Sequence, residues 1–331
     1  MKLKKCAAIL LVSSCLLTGC TTSSAKKVDS KYVVASLEKG NKTKNIFADN
    51  LYKDIIDNSS NNSTVFNAVL QNLVDQKFPV NDDMKEDAAT IIKQIKSAYK
   101  SNYGDNYKDS LNQALTSAGY KNLSEYRQKM IKQIQYANFL LDYIDDHFDD
   151  VFNDYYQQCA PKYVSLIKIS VSDTSSPTDD ETSKLNEVKE LISNTDKSFG
   201  DIAQDYSNDS TSSKKGSLGI VDSKDTSGIA NSYGKDVFNA IEALSEGQVS
   251  DVITGDNGYY FVKVTSTDKK TLKKELKKTD IDSPLLAYDD YLQYVVYNSY
   301  KINYKDKDIK KIVQEVVNKA LEERKTERGE A

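Results

Sequence analysis

Histidine is nearly absent from this 331-residue chain, since His147 is the only one. A Ser-His-Asp triad or a site with several histidine ligands would therefore have to be built around that single residue. Tryptophan is absent altogether, whereas 22 tyrosines are present, so tyrosine must supply most of the aromatic burial. The 45 basic and 49 acidic residues give a formal net charge of −4. That balance lacks the basic excess that is typical of nucleic-acid binding.

The first twenty residues, MKLKKCAAILLVSSCLLTGC, have the layout of a secretory signal. Three lysines precede an apolar run at 7–17 that is too short to span a bilayer as a stable helix. The ending, Leu-Thr-Gly-Cys20, resembles the lipobox of exported bacterial lipoproteins. The resemblance implies that residues 1–19 are a signal peptide, that Cys20 is lipidated, and that residues 20–30 form a flexible tether. An ordinary signal peptide with a chance cysteine is the alternative.

Cleavage before Cys20 would change both the charge and the cysteine content. It would remove three lysines and no acids, which takes the net charge from −4 to −7. It would also remove Cys6 and Cys15, so that Cys159 would remain as the one unmodified thiol. The pattern therefore excludes a disulfide framework, although the predicted location lies outside the cytoplasm.

The spacing of apolar residues predicts a helical first part. KYVVASL, at 31–37, predicts a short strand that is followed by a turn. From Asn45 to about Tyr156, apolar residues recur at helical spacing, interrupted by short polar connections. Ser63 or Thr64, and later Ser124, are the predicted N-caps within this part.

A change of period after residue 160 predicts a small α+β module. KYVSLIKISVSD predicts a strand, and two helices and a long polar loop follow it. DVFNAIEAL then predicts a helix, EGQVSDVIT a turn and a strand, and GYYFVKV the closing strand. Helical spacing returns in the last part. The predicted domains are therefore a helical segment at 31–160, the module at 161–268, and a helical segment at 269–331 that packs on the first. The predicted fold class is α+β, with the module inserted in an all-helical domain.

Residues 161–265 resemble a parvulin-type peptidyl-prolyl isomerase domain. SFGDIAQDYSNDSTSSKKGSLG is similar to the family's phenylalanine, leucine-alanine, tyrosine-serine and GG-x-LG series, and LSEGQVSDVI and NGYYFVKV are similar to its closing segments. With the lipobox and the flanking helices, the whole chain resembles a PrsA-type foldase lipoprotein of Gram-positive bacteria. The resemblance implies that this domain lowers the barrier of about 18–20 kcal/mol to rotation about an X-Pro bond. That reaction needs no nucleophile. We expect neither a cofactor nor a metal.

The resemblance also implies site residues, with departures from the family. Parvulins usually carry histidines in the first and last strands that face each other across the groove floor, and Lys168 and Tyr260 stand at those positions here. Asp209 keeps a position where the family has cysteine or aspartate. Lys168, Tyr260 and Asp209 are therefore the catalytic candidates. Because both histidines are replaced, we expect isomerase activity to be weak or absent.

The same comparison implies an apolar pocket for the proline ring. Leu218 matches the family's pocket leucine, and the pocket phenylalanine falls on Phe238, with Val237 as the alternative. We expect Leu218 and Phe238 to bind substrate.

Three other features have simple structural explanations. The acidic run at 142–154, which includes His147, lacks the spacing of an EF-hand and is expected to be a solvated helix face rather than a metal site. Cys159 is expected to be a bystander rather than a reactive thiol. The lysine-rich run at 268–278 is expected to be an exposed linking helix rather than a contact with anionic wall polymer or lipid headgroups. The tyrosines of the helical part could form its core or line a client cleft.

The sequence leaves three functions open. The first is a membrane-anchored extracytoplasmic chaperone that helps exported proteins fold, with weak or absent prolyl isomerase activity. The second is an active prolyl isomerase with a non-standard site, and the third is a non-catalytic scaffold or adhesion lipoprotein on the cell surface. The expected partners are unfolded or partly folded exported proteins and the membrane, through Cys20, but not nucleic acid. A homodimer is left open.

Overall fold

The computed structural model describes residues 27–39, 42–194, 196–276 and 281–330. The predicted signal peptide, Cys20 and the first part of the predicted tether lie outside the described residues. Within these ranges, no helix is both long and apolar enough to cross a membrane.

The elements alternate between long helical stretches and short antiparallel sheets. In chain order the helices are α1 Ala48–Ile56, α2 Asn62–Lys77, α3 Asp82–Tyr103, α4 Tyr107–Ser117, α5 Leu123–Asp146, α6 Phe148–Cys159, α7 Asp179–Asn194, α8 Phe199–Tyr206, α9 Ile229–Tyr233, α10 Lys235–Ala243, α11 Lys269–Leu276, α12 Leu292–Ser299 and α13 Lys307–Glu327. The strands are β1 Lys27–Val28, β2 Lys31–Lys39, β3 Lys42–Phe47, β4 Lys162–Ser170, β5 Ser217–Val221, β6 Ile253–Gly255 and β7 Gly258–Ser266. The predicted α+β class is confirmed.

The described residues form two compact units. One is Asn81–Asp290, and the other combines residues 27–80 with residues 291–330. The boundaries that we predicted after residues 160 and 268 do not coincide with the limits of these units. As domain boundaries they stay a prediction.

The unit that combines both ends begins with a β-hairpin. Strands β1, β2 and β3 pair in that order, all antiparallel. The prediction that helix begins at Asn45 is wrong, because Asn45 pairs with Ser36 across the hairpin and its Oδ1 accepts a hydrogen bond from the Ser36 hydroxyl at 2.8 Å. The predicted strand at 31–37 is confirmed.

Helices α2 and α13 pack together in this unit. Phe66 of α2 is fully buried, stacks on Tyr294 and meets Tyr297 edge-on, so tyrosine does supply aromatic core here. The predicted N-caps Ser63 and Thr64 are wrong, because both lie inside α2, which begins at Asn62.

The other unit holds helices α3 to α6 and the α+β module. Ser124 is not the N-cap of α5, because the Asn122 side chain accepts the hydrogen bond from the Glu125 amide at 2.9 Å and the helix starts two residues earlier than predicted. His147 separates α5 from α6, so the acidic run at 142–154 spans two helices rather than one face.

The module is a four-stranded antiparallel sheet in the order β5-β4-β7-β6, with a hydrophobic cluster on each face. Side chains alternate between the two faces along a strand. Leu166 and Val262 pack with α9 and α10 on one face, whereas Ile167 and Phe261 pack with α7 and α8 on the other. Strand β5 and helix α9 lie where the sequence predicted only loop, because each is only five residues long, and α9 lies between two glycines.

Lys162 closes the C-terminal end of α10. Its Nζ donates to the carbonyl oxygens of Ile241, Glu242 and Leu244 at 3.0, 2.6 and 3.0 Å. A cation at this end also opposes the negative pole of the helix dipole. The contact ties the first strand of the module to the helix that covers the site face.

Replacing Lys162 with methionine is expected to lower the free energy of unfolding by about 1–3 kcal/mol, because three half-buried carbonyls lose a charged donor. Chemical unfolding followed by circular dichroism measures this loss. Lys235→Met, at the exposed start of the same helix, removes the same charge without removing such contacts. Equal losses in the two variants would show that charge alone, and not the cap, stabilises α10.

Candidate functional site

The floor of the candidate site is formed by two adjacent strands. Strands β4 and β7 pair antiparallel, and Lys168 lies directly opposite Tyr260 in the register. Both residues belong to the sheet face that packs against α9 and α10. The structure therefore brings together the two positions at which the resemblance to parvulins implies histidine.

Tyr260 fills the floor with its ring. It is 4% exposed, and a Cβ on Gly255 of the neighbouring strand would lie 2.6 Å from the ring, so only glycine leaves room for it. The Lys168 Nζ lies 5.6 Å from the ring centroid, a cation–π distance. The hydroxyl donates to Asn257 Oδ1 at 2.8 Å. Tyr260 is thus packed from the side and already hydrogen-bonded.

Asp209 is brought to this floor by the loop that follows α8. The Ser207 hydroxyl accepts from the Lys168 amide at 3.0 Å, and the Asn208 amide donates to the Lys168 carbonyl at 2.7 Å, so the loop is bonded onto β4. Asp209 is 9% exposed, and its Oδ1 accepts the Thr211 amide at 2.9 Å in a local turn. The carboxylate therefore lies buried beside the floor.

Tyr233 is a site residue that the sequence did not predict. It ends α9, its hydroxyl is 3.4 Å from Asp209 Oδ1, and its ring meets that of Tyr260 edge-on with the centroids 6.2 Å apart. Burial, followed by the nearby Asp209 charge, raises the pKa of the Tyr233 phenol. A tyrosine between Gly228 and Gly234 was the available signal, but the stretch was predicted to be loop.

The phenols of this site are held in their neutral form. Burial is the main cause that raises the pKa of Tyr260, and the charges of Asp209 and Asp256 raise it further. A neutral phenol can donate a hydrogen bond to an amide carbonyl but is a poor proton acceptor. Any chemistry at this floor is therefore expected to vary little with pH around neutrality.

Leu218 and Phe238 line the same face, from β5 and from α10. Both are half-buried and pack against the cluster that contains Tyr260. Val237, the alternative for the pocket phenylalanine, is 1% exposed and belongs to the core. The predicted catalytic and substrate-binding residues thus gather on one face of the sheet, while the roles assigned to them stay a prediction.

Two features that the sequence singled out lie outside this site. His147 sits between α5 and α6, where its ring stacks on Tyr143 with the centroids 4.1 Å apart. Cys159 ends α6 and is fully buried, which shields its thiol from solvent. Among the described residues, no three His, Cys, Asp or Glu side chains are grouped closely enough to hold a metal ion.

Half-buried apolar side chains and a neutral phenol lie together on this face of the sheet. The rotamase family model, described as a PPIC-type PPIase domain, matches residues 166–266, which include the whole floor. Residues 166–266 therefore form a parvulin-like domain, as the sequence predicted.

The similarity extends to foldases. Foldase protein PrsA of Staphylococcus epidermidis and foldase protein PrsA of Staphylococcus aureus strain RF122 are each 32% identical to this chain over 141 residues. The match covers 40% of this chain and 41% of each relative, so it spans less than half the length of those curated proteins. The chain is thus similar to PrsA-type foldases and contains a parvulin-like domain.

Solved structures of PrsA proteins are also similar. PrsA from Bacillus subtilis is 20% identical and has a TM-score of 0.39, with 85% of this chain and 97% of that chain covered. PrsA from Streptococcus pneumoniae strain Canada MDR_19A is 19% identical with the same TM-score, with 85% and 99% covered. At these scores the likeness adds no detail to the site.

Proposed function

We propose that this chain is a membrane-anchored extracytoplasmic foldase that helps exported proteins fold, with weak or absent prolyl isomerase activity. The support is the parvulin-type domain at 166–266 and the similarity to PrsA foldases over 40% of the chain. Lipid on Cys20 would hold the protein at the outer face of the cell membrane. Unfolded or partly folded exported proteins would be its clients, held by the helical segments at 31–160 and 269–331 with the module at 161–268.

The pairing of Lys168 with Tyr260 carries the proposal of low isomerase activity. A site speeds rotation of an X-Pro bond by stabilising the twisted amide more than the planar one. An ammonium group is strongly hydrated, so Lys168 keeps water near a floor that should be dry. The Tyr260 hydroxyl already donates to Asn257, and a substrate carbonyl would have to compete for it.

An active isomerase is the second candidate, because the apolar face is intact. Leu218 and Phe238 remain partly open beside neutral phenols, and the buried Asp209 retains the family's acidic position. A scaffold or adhesion role is the third candidate, which has neither holding nor catalysis.

Two assays on the full chain separate these functions. The first is aggregation of a denatured client without slow proline phases, which we expect an equimolar amount of the protein to suppress. The second is refolding of a client limited by a cis-proline, which we expect to accelerate less than about twofold, under 0.5 kcal/mol of barrier lowering. Asp209→Ala and Tyr260→Phe should leave the first assay unchanged.

Other outcomes contradict the proposal in distinct ways. A large acceleration of proline-limited refolding that Asp209→Ala and Tyr260→Phe both abolish would identify a working isomerase with a non-standard site. Failure to suppress aggregation, together with no acceleration, would leave only the scaffold function.

A further inference from the structure

A groove of about 540 Å³ lies between α3, α4 and α5, in the Asn81–Asp290 unit. Four cationic side chains line it, those of Lys93, Lys96, Lys100 and Arg127, and we call it the basic groove. None of the residues that line it is acidic. Its volume lies in the usual range for ligand sites. This is a concentration of positive charge in a chain whose net charge is −4.

The three lysines form one uncompensated row along α3. They are spaced three and four residues apart, so they share a helix face and span about 10 Å along the axis. No acid stands three or four residues from any of them. Across the part of the chain that the structure describes, none of the three makes an ion pair.

Lysines on α13 show the contrasting arrangement. Lys311 pairs with Glu315 at 3.9 Å, and Lys319 pairs with Glu323 at 3.7 Å, each four residues along the helix. Like charges at this spacing destabilise a helix, whereas opposite charges stabilise it. The row on α3 therefore destabilises the helix in the free protein, and an anionic ligand would remove that destabilisation.

The remaining lining suits a ligand that is also apolar. Ile92 and Leu123 contribute aliphatic surface, and Tyr107 contributes an aromatic ring with a hydroxyl. Arg127 donates to the Lys85 carbonyl at 3.4 Å, which ties this cation of α5 to α3. Apolar surface between cations favours a peptide with mixed side chains over a purely charged polymer.

We infer that the basic groove binds client segments in which acidic and apolar side chains alternate. The inference rests on the proposed foldase function, since it names the class of peptide that the helical part would hold. Elsewhere the negative net charge of the protein repels such segments, so the groove would concentrate them at one place. None of the parvulin-type residues is needed for this binding.

The test is fluorescence anisotropy of a labelled ten-residue peptide of alternating glutamate with leucine or phenylalanine, added to the full chain at low salt. We expect the variant K93Q/K96Q/K100Q to bind it about tenfold more weakly, because each exposed charge contributes a factor of a few. A peptide with glutamine in place of glutamate should bind both proteins equally. The variant K93E/K96E/K100E should lose the acidic peptide and bind its lysine counterpart.

The matched control is K311Q/K319Q/K325Q, which makes the same charge change on exposed positions of α13. It should bind the acidic peptide as the unaltered protein does. Equally weakened peptide binding in both triple variants would mean that net charge alone explains the effect. That result would overturn the inference. If tripolyphosphate or polyglutamate competes as strongly as the acidic peptide itself, the groove is a general polyanion site instead.

The aggregation assay keeps this inference separate from the proposed function. If the unaltered protein suppresses aggregation of a neutral client but does not bind the acidic peptide, the groove assignment fails and the foldase function stands. If it binds the peptide through the three lysines but suppresses no aggregation, the foldase function fails and the groove is a peptide site without a holding role.

Discussion

Gly216→Ala is expected to destabilise the parvulin-type domain by about 2–5 kcal/mol, from left-handed backbone strain together with steric overlap. Gly216 has a φ of +76°, and a Cβ there would lie 2.5 Å from the Leu166 carbonyl oxygen and 2.8 Å from the Ala203 Cβ. Leu166 belongs to the central strand β4, and its amide donates to the Gly216 carbonyl at 2.8 Å. Neither the Gly216 backbone nor the Leu166 backbone can move away without breaking the hydrogen bonds of the sheet.

Gly219→Ala is the matched control for this substitution. Gly219 has a similar φ of +83°, but no described atom lies within 4 Å of its added Cβ. It should therefore show only the backbone strain, about 1–2 kcal/mol. Urea unfolding followed by far-UV circular dichroism compares the two. Equal losses would mean that the close approach to Leu166 and Ala203 relaxes easily, contrary to our expectation.

Gly216→Ala is also expected to affect the candidate site. The residue directly precedes β5, the strand that places Leu218 on the site face. A shift of β5 away from β4 would also move Leu218 away from Tyr260. We therefore expect Gly216→Ala to weaken any client contact of the domain, while peptide binding in the basic groove, which lies on other helices, is kept.

Asp222→Ala is expected to cost about 3–5 kcal/mol, because it removes a fully buried carboxylate together with several hydrogen bonds. Its oxygens accept the Tyr155 hydroxyl at 2.8 Å, the Lys224 amide at 3.0 Å and the Thr226 amide at 3.3 Å, as well as the Thr226 hydroxyl. The Tyr155 side chain is itself fully buried. The substitution would leave its hydroxyl and two amides without these acceptors.

This contact holds α6 to the end of β5. Next to it, the Ser223 amide donates to the Cys159 carbonyl at 2.9 Å, so side-chain and backbone bonds join the same two segments. Burial, and then the nearby Asp222, raises the pKa of the Tyr155 phenol, which therefore remains a donor throughout the neutral range. Loss of Asp222 should loosen the domain from the helix before it.

Asp173→Ala is the matched control, because Asp173 makes the same kind of turn on the surface. Its Oδ1 accepts the Ser175 amide at 2.9 Å, two residues along, as Asp222 does with Lys224. Asp173 is exposed, so water can replace the lost contacts and only a small change is expected. The midpoint of thermal unfolding measures both. A small shift for Asp222→Ala would show that water enters the site and satisfies Tyr155.

Much of the fold could be predicted because the apolar spacing of long helices is a local property. Helices α3, α4 and α13 and strands β4 and β7 lie where the periodicity placed them. The N-caps were less predictable, since Asn122 and Ser124 are both good caps and packing selects between them. Of the N-terminal strands only β2 was predicted, because the pairing of Asn45 with Ser36 is a contact between strands rather than a local preference.

The sequence by itself predicted the class of the module, and the resemblance implied Lys168 and Tyr260 as its departures from the family. Only the tertiary structure decided that Tyr233 joins them and that three lysines of α3 share a groove with Arg127. The physical reason is that motifs and periodicity report local backbone preference, whereas a site is made by strand register and helix packing. Those depend on residues far apart in the chain, and a shift of one residue turns a side chain to the other face.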